Sequence, residues 1–130
     1  MTKILTIDDS KMVHMVVKKA LAAYNVKVIT APNGMEGFVK AQEEVPDLIL
    51  LDVNMPMMDG HETLQKLKMI PETAEIPVVM LTAETSGESQ EKAFETGVWM
   101  YLTKPFESEI LINSLQSLIP LEPKSESVTS

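Results

Sequence analysis

The chain has no cysteine, only eleven basic residues, and no long apolar run among its 130 residues. Without cysteine, disulfide frameworks, thiolate nucleophiles and thiolate zinc sites are excluded. Nineteen Asp and Glu against eleven Lys and Arg leave a net charge of -8, a sign that repels nucleic-acid phosphates and anionic lipid surfaces, so direct nucleic-acid binding is not expected. No segment approaches the roughly 18 apolar residues of a membrane span. The start, Met1-Thr2-Lys3-Ile4, runs into Asp8-Asp9 without the apolar stretch of a signal peptide. A cytoplasmic protein without membrane contact is the expectation. What remains is an ordinary globular composition, 45% hydrophobic and 23% charged, in a length that suits one domain of about 100 to 200 residues.

Within that length, short aliphatic runs recur at intervals of about twenty residues: Ile4 to Ile7, Val26 to Ile29, Leu48 to Leu51, Val78 to Leu81 and Val98 to Leu102. Ile, Leu and Val with little alternation mark strands covered on both faces by helices, which predicts a parallel sheet. Helical spacing lies between the runs. Val13, Val16, Val17, Ala20 and Leu21 form one apolar stripe, Leu64, Leu67 and Ile70 a second, and Ile110, Leu111, Leu115 and Leu118 a third. Asn33 and Thr85 each stand three positions before a glutamate, Glu36 and Glu88, an arrangement that satisfies two orphan donors at a helix start. Asn25 and Gly97 are expected to end the first and fourth helices. The order predicts an α/β chain of (βα)5 type, doubly wound, with right-handed crossovers placing helices on both faces of a five-stranded parallel sheet. Residues 1-119 form the expected domain, and the stretch 120-130, without a periodic apolar face, is expected to be a disordered tail.

Open parallel sheets bind ligands beyond the carboxyl ends of their strands. There the first run is followed by Asp8 and Asp9, the third by Asp52, the fourth by Thr82 and the fifth by Lys104-Pro105, while the second leads into uncharged Thr30-Ala31-Pro32. Crowded carboxylates raise one another's pKa or recruit a cation. A hard divalent ion, Mg2+ foremost, suits such an oxygen-rich site. With Lys104 offsetting charge and Thr82 offering a hydroxyl, a phosphoryl group could be held beside Asp52, and the chemistry implied is carboxylate attack on phosphorus. Each residue alone has a plainer reading: Asp9 or Ser10 as the cap of the first helix, Thr82 as a turn residue, Lys104 as a surface lysine. Their convergence on one rim outweighs those readings.

Four segments then carry a resemblance: Ile7-Asp8-Asp9-Ser10, Leu51-Asp52-Val53-Asn54-Met55-Pro56-Met57-Met58-Asp59-Gly60, Leu81-Thr82-Ala83 and Tyr101-Leu102-Thr103-Lys104-Pro105-Phe106. From Lys3 to about Ile119 the chain resembles the receiver domain of two-component response regulators, the single-domain chemotaxis type in particular. The resemblance implies the flavodoxin-like strand order 2-1-3-4-5. It implies that Asp52 accepts a phosphoryl group from a histidine kinase or a histidine phosphotransfer protein. Asp9 and Asp52 would ligate Mg2+, with Mn2+ as a substitute, Asp8 would act directly or through water, and the backbone carbonyl of Asn54 would complete the set. Thr82 and Lys104 would bind phosphoryl oxygens, and Pro105 would follow a cis bond. Thr82 and Tyr101 would form the switch that remodels the face of the fourth helix, fifth strand and fifth helix for a downstream protein target. Asn54 and Glu84 would tune dephosphorylation. Such a chain is a phosphoacceptor that promotes its own phosphorylation and dephosphorylation, not a turnover enzyme, and it is a monomer until activation, when dimerisation is open to it.

Departures from the family pattern lie at Gly97-Val98-Trp99-Met100-Tyr101, where polar residues usually precede the tyrosine. Trp99 and Met100 either fill a gap beside Phe94 or Phe106 or form a hydrophobic docking patch. Gly37 stands where alanine is common, an exchange expected to loosen the second helix by roughly 0.5 to 1 kcal/mol. His14 and His61 lack ligand spacing and read as surface positions. Among the ten methionines, Met12 and Met15 read as gap fillers ahead of a kinase-docking role, and Met55, Met57 and Met58 as packing for the loop after Asp52. A Mg2+-dependent phosphatase would need an acid/base carboxylate two residues after Asp52, where Asn54 stands. A flavodoxin-type carrier would need a phosphate loop where Asp8-Asp9 stand. An unphosphorylated interaction module, or a receiver cut from a longer regulator with an output domain, remains as the alternative.

Overall fold

The structure, a computed structural model, describes residues 1–124. Five strands, β1 (Thr2–Ile7), β2 (Val26–Ala31), β3 (Leu48–Leu51), β4 (Val78–Thr82) and β5 (Met100–Thr103), form one parallel sheet in the order β2-β1-β3-β4-β5. Six helices surround it: α1 (Lys11–Ala20), α2 (Gly34–Glu44), α3 (Gly60–Met69), the single turn α4 (Pro71–Ala74), α5 (Gly87–Thr96) and α6 (Ser108–Gln116). The doubly wound (βα)5 architecture and its strand order hold. The expected fourth and fifth helices are therefore α5 and α6.

Alternation along the strands divides the core in two. Leu5, Ile7, Ile49, Leu51, Val78 and Met80 face one way and pack with Ala41 of α2, Leu64 and Leu67 of α3 and Ala93 of α5. Ile4, Leu48, Leu50, Val79 and Leu81 face the other way and pack with Val17 of α1 and Leu111 and Leu115 of α6. Every residue of β3 and β4 is buried, which is why those runs show no polar alternation. Gly37 has a purpose that helix propensity does not reveal. A Cβ there would lie 2.5 Å from Ile7 Cδ1, so only glycine lets α2 rest this closely on β1.

Three local expectations are corrected, and one element is additional. Helix α1 ends at Ala20 with Leu21 as its C-cap, not at Asn25; beyond it Ala22 N donates to the Lys19 carbonyl and Tyr24 N to the Leu21 carbonyl, tighter turns that replace the helical pattern. The cap of α5 is Ser86, whose side chain accepts from Ser89 N, rather than Thr85, while Asn33 caps α2 and Gly97 ends α5. The turn α4 was not anticipated; Pro71 opens it and Thr73 Oγ1 donates to the Leu67 carbonyl at 2.6 Å. The stretch from Pro120 is ordered as far as Lys124. Asn25 N donates to the Glu122 carbonyl at 2.7 Å, Lys124 N to the Ala23 carbonyl at 2.8 Å, and Leu121 is buried. One leucine and two backbone bonds hold it, with no periodic face to announce them. Positions 125–130 of the expected tail lie outside the described residues. No helix among the described residues is long and apolar enough to cross a membrane.

Candidate functional site

Parallel pairing brings the strand ends to one rim. Asp8 N donates to the Ala31 carbonyl, Asp52 N to the Ile7 carbonyl and Lys104 N to the Thr82 carbonyl, at 3.1, 3.0 and 2.8 Å. The sheet ladder thus extends into the residues just past β1, β3 and β5 and fixes their main chain. Beyond Asp52, the α3 start is pressed onto the strand end: any Cβ on Gly60 would collide with the Asp52 carbonyl, and Gly60 N donates to the Val53 carbonyl at 2.8 Å. Asp59 closes the entry with a capping box to Glu62.

Asp8, Asp9 and Asp52 each offer a carboxylate oxygen within 4.8 Å of the others. Asp8 and Asp52 are buried and Asp9 is exposed. Lys104 Nζ donates to Asp8 Oδ2 at 2.8 Å and lies 3.5 Å from Asp52 Oδ2. The other Asp8 oxygen accepts from Ser10 N at 2.9 Å, while Ser10 itself caps α1 by accepting from Val13 N. Burial pushes the Asp52 pKa up, and the Asp8 charge adds to that; hydrogen bonds from Thr82 and the Asn54 backbone and the Lys104 ammonium act against it. An anion disfavoured in this way gains from a further cation, and the all-oxygen donor set fits a hard divalent metal. The Lys104–Pro105 peptide bond is cis.

Thr82 is fully buried at the end of β4. Its Oγ1 accepts from Glu84 N at 3.1 Å, and the carbonyl of Glu84 accepts from the Tyr101 hydroxyl at 2.9 Å. The main chain of Glu84 is therefore held by Thr82 on one side and Tyr101 on the other. The Glu84 carboxylate is stabilised in its charged form chiefly by hydrogen bonds from Ser86, with a smaller contribution from the Asn54 side chain, so Asn54 and Glu84 are brought together above the site.

Other candidates separate. Trp99 is half exposed, but Met100, the next residue, packs with Leu102 into the α1/α6 core, whereas Tyr101 packs against the opposite one. Trp99 stands just ahead of β5 and is exposed while the Met100 side chain is taken into the core, so the two do not form one patch. Met12 and Met15 are exposed at 72% and 66%, which overturns the gap-filling reading. Met12 lines an apolar groove of about 330 Å³ with Val13, Val16, Ala83, Lys104, Pro105 and Phe106. Met55 is buried in the core, while Met57, with φ of 71°, is fully exposed.

Neither histidine is a plain surface residue. His14 is half-buried near Asp8, and burial lowers its pKa. His61 is 7% exposed, and its Nε2 lies 3.0 Å from Ser89 Oγ, which in turn lies 2.9 Å from the Tyr101 hydroxyl. The sequence carries no signal for this chain of contacts, because its members come from α3, α5 and β5 and Ser89 reads as one polar helix position among several.

A family model described as the response regulator receiver domain matches residues 4–116. The probable transcriptional regulator ycf29 of Porphyra purpurea is 34% identical over 116 residues, covering 89% of this chain and 56% of the relative, so the chain spans about half of that protein. Protein PilG of Pseudomonas aeruginosa is 31% identical over 118 residues, covering 91% of this chain and 87% of its own length. The solved structure of the chemotaxis response regulator CheY4 of Vibrio cholerae superposes with a TM-score of 0.85 at 37% identity, covering 92% of this chain and 99% of that one.

Proposed function

The chain belongs to the response regulator receiver family, and on that premise we propose that Asp52 accepts a phosphoryl group from a histidine kinase or histidine phosphotransfer protein. The observation that carries this reading is the Lys104 ammonium set between the buried carboxylates of Asp8 and Asp52, at 2.8 and 3.5 Å, on the ligand-binding rim of the sheet. One Asp52 oxygen attacks phosphorus, the P–N bond of the donor phosphohistidine breaks, and its electron pair leaves on the imidazole nitrogen. Lys104 and the Thr82 hydroxyl receive the phosphoryl oxygens. Asp8, Asp9, Asp52 and the Asn54 backbone carbonyl would hold Mg2+, or Mn2+ in its place, and the bound ion supplies positive charge to the transferring group. Asn54 offers no acid/base carboxylate, which favours a phosphoacceptor over a turnover phosphatase; with Glu84 it sets how fast the acyl phosphate is lost.

The response follows from the two backbone bonds of Glu84. A Thr82 hydroxyl drawn toward a phosphoryl oxygen releases Glu84 N, the loop shifts, and the Tyr101 hydroxyl follows its acceptor. The surface of α5, β5 and α6 changes with it, and a downstream protein reads that surface in the cytoplasm. Trp99 borders this face and is available to a partner; dimerisation through the same face is a second use of it. The groove that Met12 and Phe106 line together with Lys104, the lysine 3.5 Å from Asp52, is the surface we assign to the docking of a protein donor. The test is intact-mass measurement after incubation with acetyl phosphate. The wild-type chain gains one hydroxylamine-sensitive phosphoryl group in Mg2+ and little in EDTA, and Asp52→Asn gains none. Equal gain in the Asn variant, or none in the wild type, rejects the proposal.

A further inference from the structure

Resting on the switch reading above, we propose that His61 is a positioning residue for Tyr101: its Nε2–H donates to Ser89, Ser89 donates to the Tyr101 hydroxyl, and Tyr101 donates to the Glu84 carbonyl. The direction of the relay is forced from its far end. A carbonyl only accepts, so the single Tyr101 proton is committed to Glu84 O at 2.9 Å. The 2.9 Å contact between Tyr101 and Ser89 must then be bridged by the serine proton, and the 3.0 Å contact between Ser89 and His61 by a proton on Nε2. With any other assignment two lone pairs would face each other.

The environment of His61 agrees with a neutral ring carrying its proton on Nε2. Its Nδ1 is buried without a hydrogen-bond partner among the described residues. With Nε2 already carrying its proton, protonating Nδ1 as well would bury an unpaired donor and a charge, which costs more than an unpaired neutral acceptor. Burial, and then the Lys92 ammonium, lower the His61 pKa, against weaker opposite effects of Asp59 and Glu84. The relay ties α3 to α5 and β5, elements that otherwise meet through apolar contacts. Its consequence is that the Tyr101 hydroxyl is tethered to α3 and α5 as well as to the Glu84 carbonyl, with its ring packed against the core of Leu64, Leu67 and Ala93.

Long-range 15N–1H spectra of the histidine rings in the unphosphorylated wild-type chain are expected to show His61 as the Nε2–H tautomer. Ser89→Ala is expected to erase that preference. His61→Leu is expected to broaden or double the Tyr101 ring signals, and His61→Gln, whose amide nitrogen donates near the former Nε2, to restore them; lost packing alone would not be repaired in this way. An Nδ1–H tautomer in the wild type, or Tyr101 signals indifferent to both His61 substitutions, overturns the proposal. Phosphoryl gain from acetyl phosphate and Mg2+, followed in the same samples, separates the two readings. Gain with an indifferent Tyr101 removes the relay alone, and an intact relay without gain removes the Asp52 reading alone.

Discussion

The bodies of β1, β3 and β4 and the residues at their carboxyl ends are neighbours in the chain and opposites in energetics. The bodies bury Ile, Leu, Val and Met against helices on both sides, where each group adds stability by leaving water. One residue further on, Asp8 and Asp52 are almost as buried, yet at Asp52 burial penalises the charged form and is offset only in part by Thr82, Lys104 and the Asn54 backbone. The same ladder that stabilises the sheet thus holds the Asp52 carboxylate where its charge is disfavoured, the kind of perturbation that marks reactive sites.

The largest expected effect lies in a strand body. Leu50→Ala, at a position 1% exposed, should cost about 2 to 5 kcal/mol in a denaturant melt while the surviving folded chain still takes up phosphoryl from acetyl phosphate; loss of uptake by folded protein would show that body and rim are not separable. At the rim, Lys104→Met leaves Asp8 without its cation. It should cost about 1 to 3 kcal/mol and slow phosphoryl uptake from acetyl phosphate, and a melt unchanged from wild type would mean the ion pair adds nothing.

Asp52→Asn should move stability the other way. The folded pKa is raised, so the folded chain holds this proton more tightly than the unfolded one. The stability from that preference is present below the unfolded pKa and lost as pH rises through the folded value. At neutral pH the Asn variant should therefore be more stable than the wild type, with the gain vanishing below the ordinary carboxylate range; melts across pH check both the sign and the window. The smallest effect on stability is expected at Met12→Ser, within about 0.5 kcal/mol. Its transfer rate from a phosphohistidine protein should fall severalfold while the rate from acetyl phosphate holds, and equal slowing with both donors would remove the groove from donor docking.

The strand bodies are legible in the sequence because burial on two faces permits little but aliphatic residues, and Asp8, Asp52, Thr82 and Lys104 are legible because they follow those runs directly. What escapes depends on contacts that no local pattern encodes. Ala22 and Ala23 allow a longer α1 than the structure has, and Leu121 and Glu122 look like tail until Asn25 is seen bonded to them. Met12 repeats the composition of a core residue but lies off the stripe that α1 buries. His61 becomes a buried, directed donor only through Ser89, which is 28 positions away.

Glu84 offers its N–H to Thr82, its carbonyl to Tyr101 and its carboxylate to Ser86 and Asn54. Under the proposed function, the coupling between phosphoryl site and output face is written in atoms that every residue except proline possesses, while the lifetime of the signal is written in atoms peculiar to the side chain. Mutation at this position can therefore reset the clock without cutting the wire, so that timing and wiring can diverge independently within one residue.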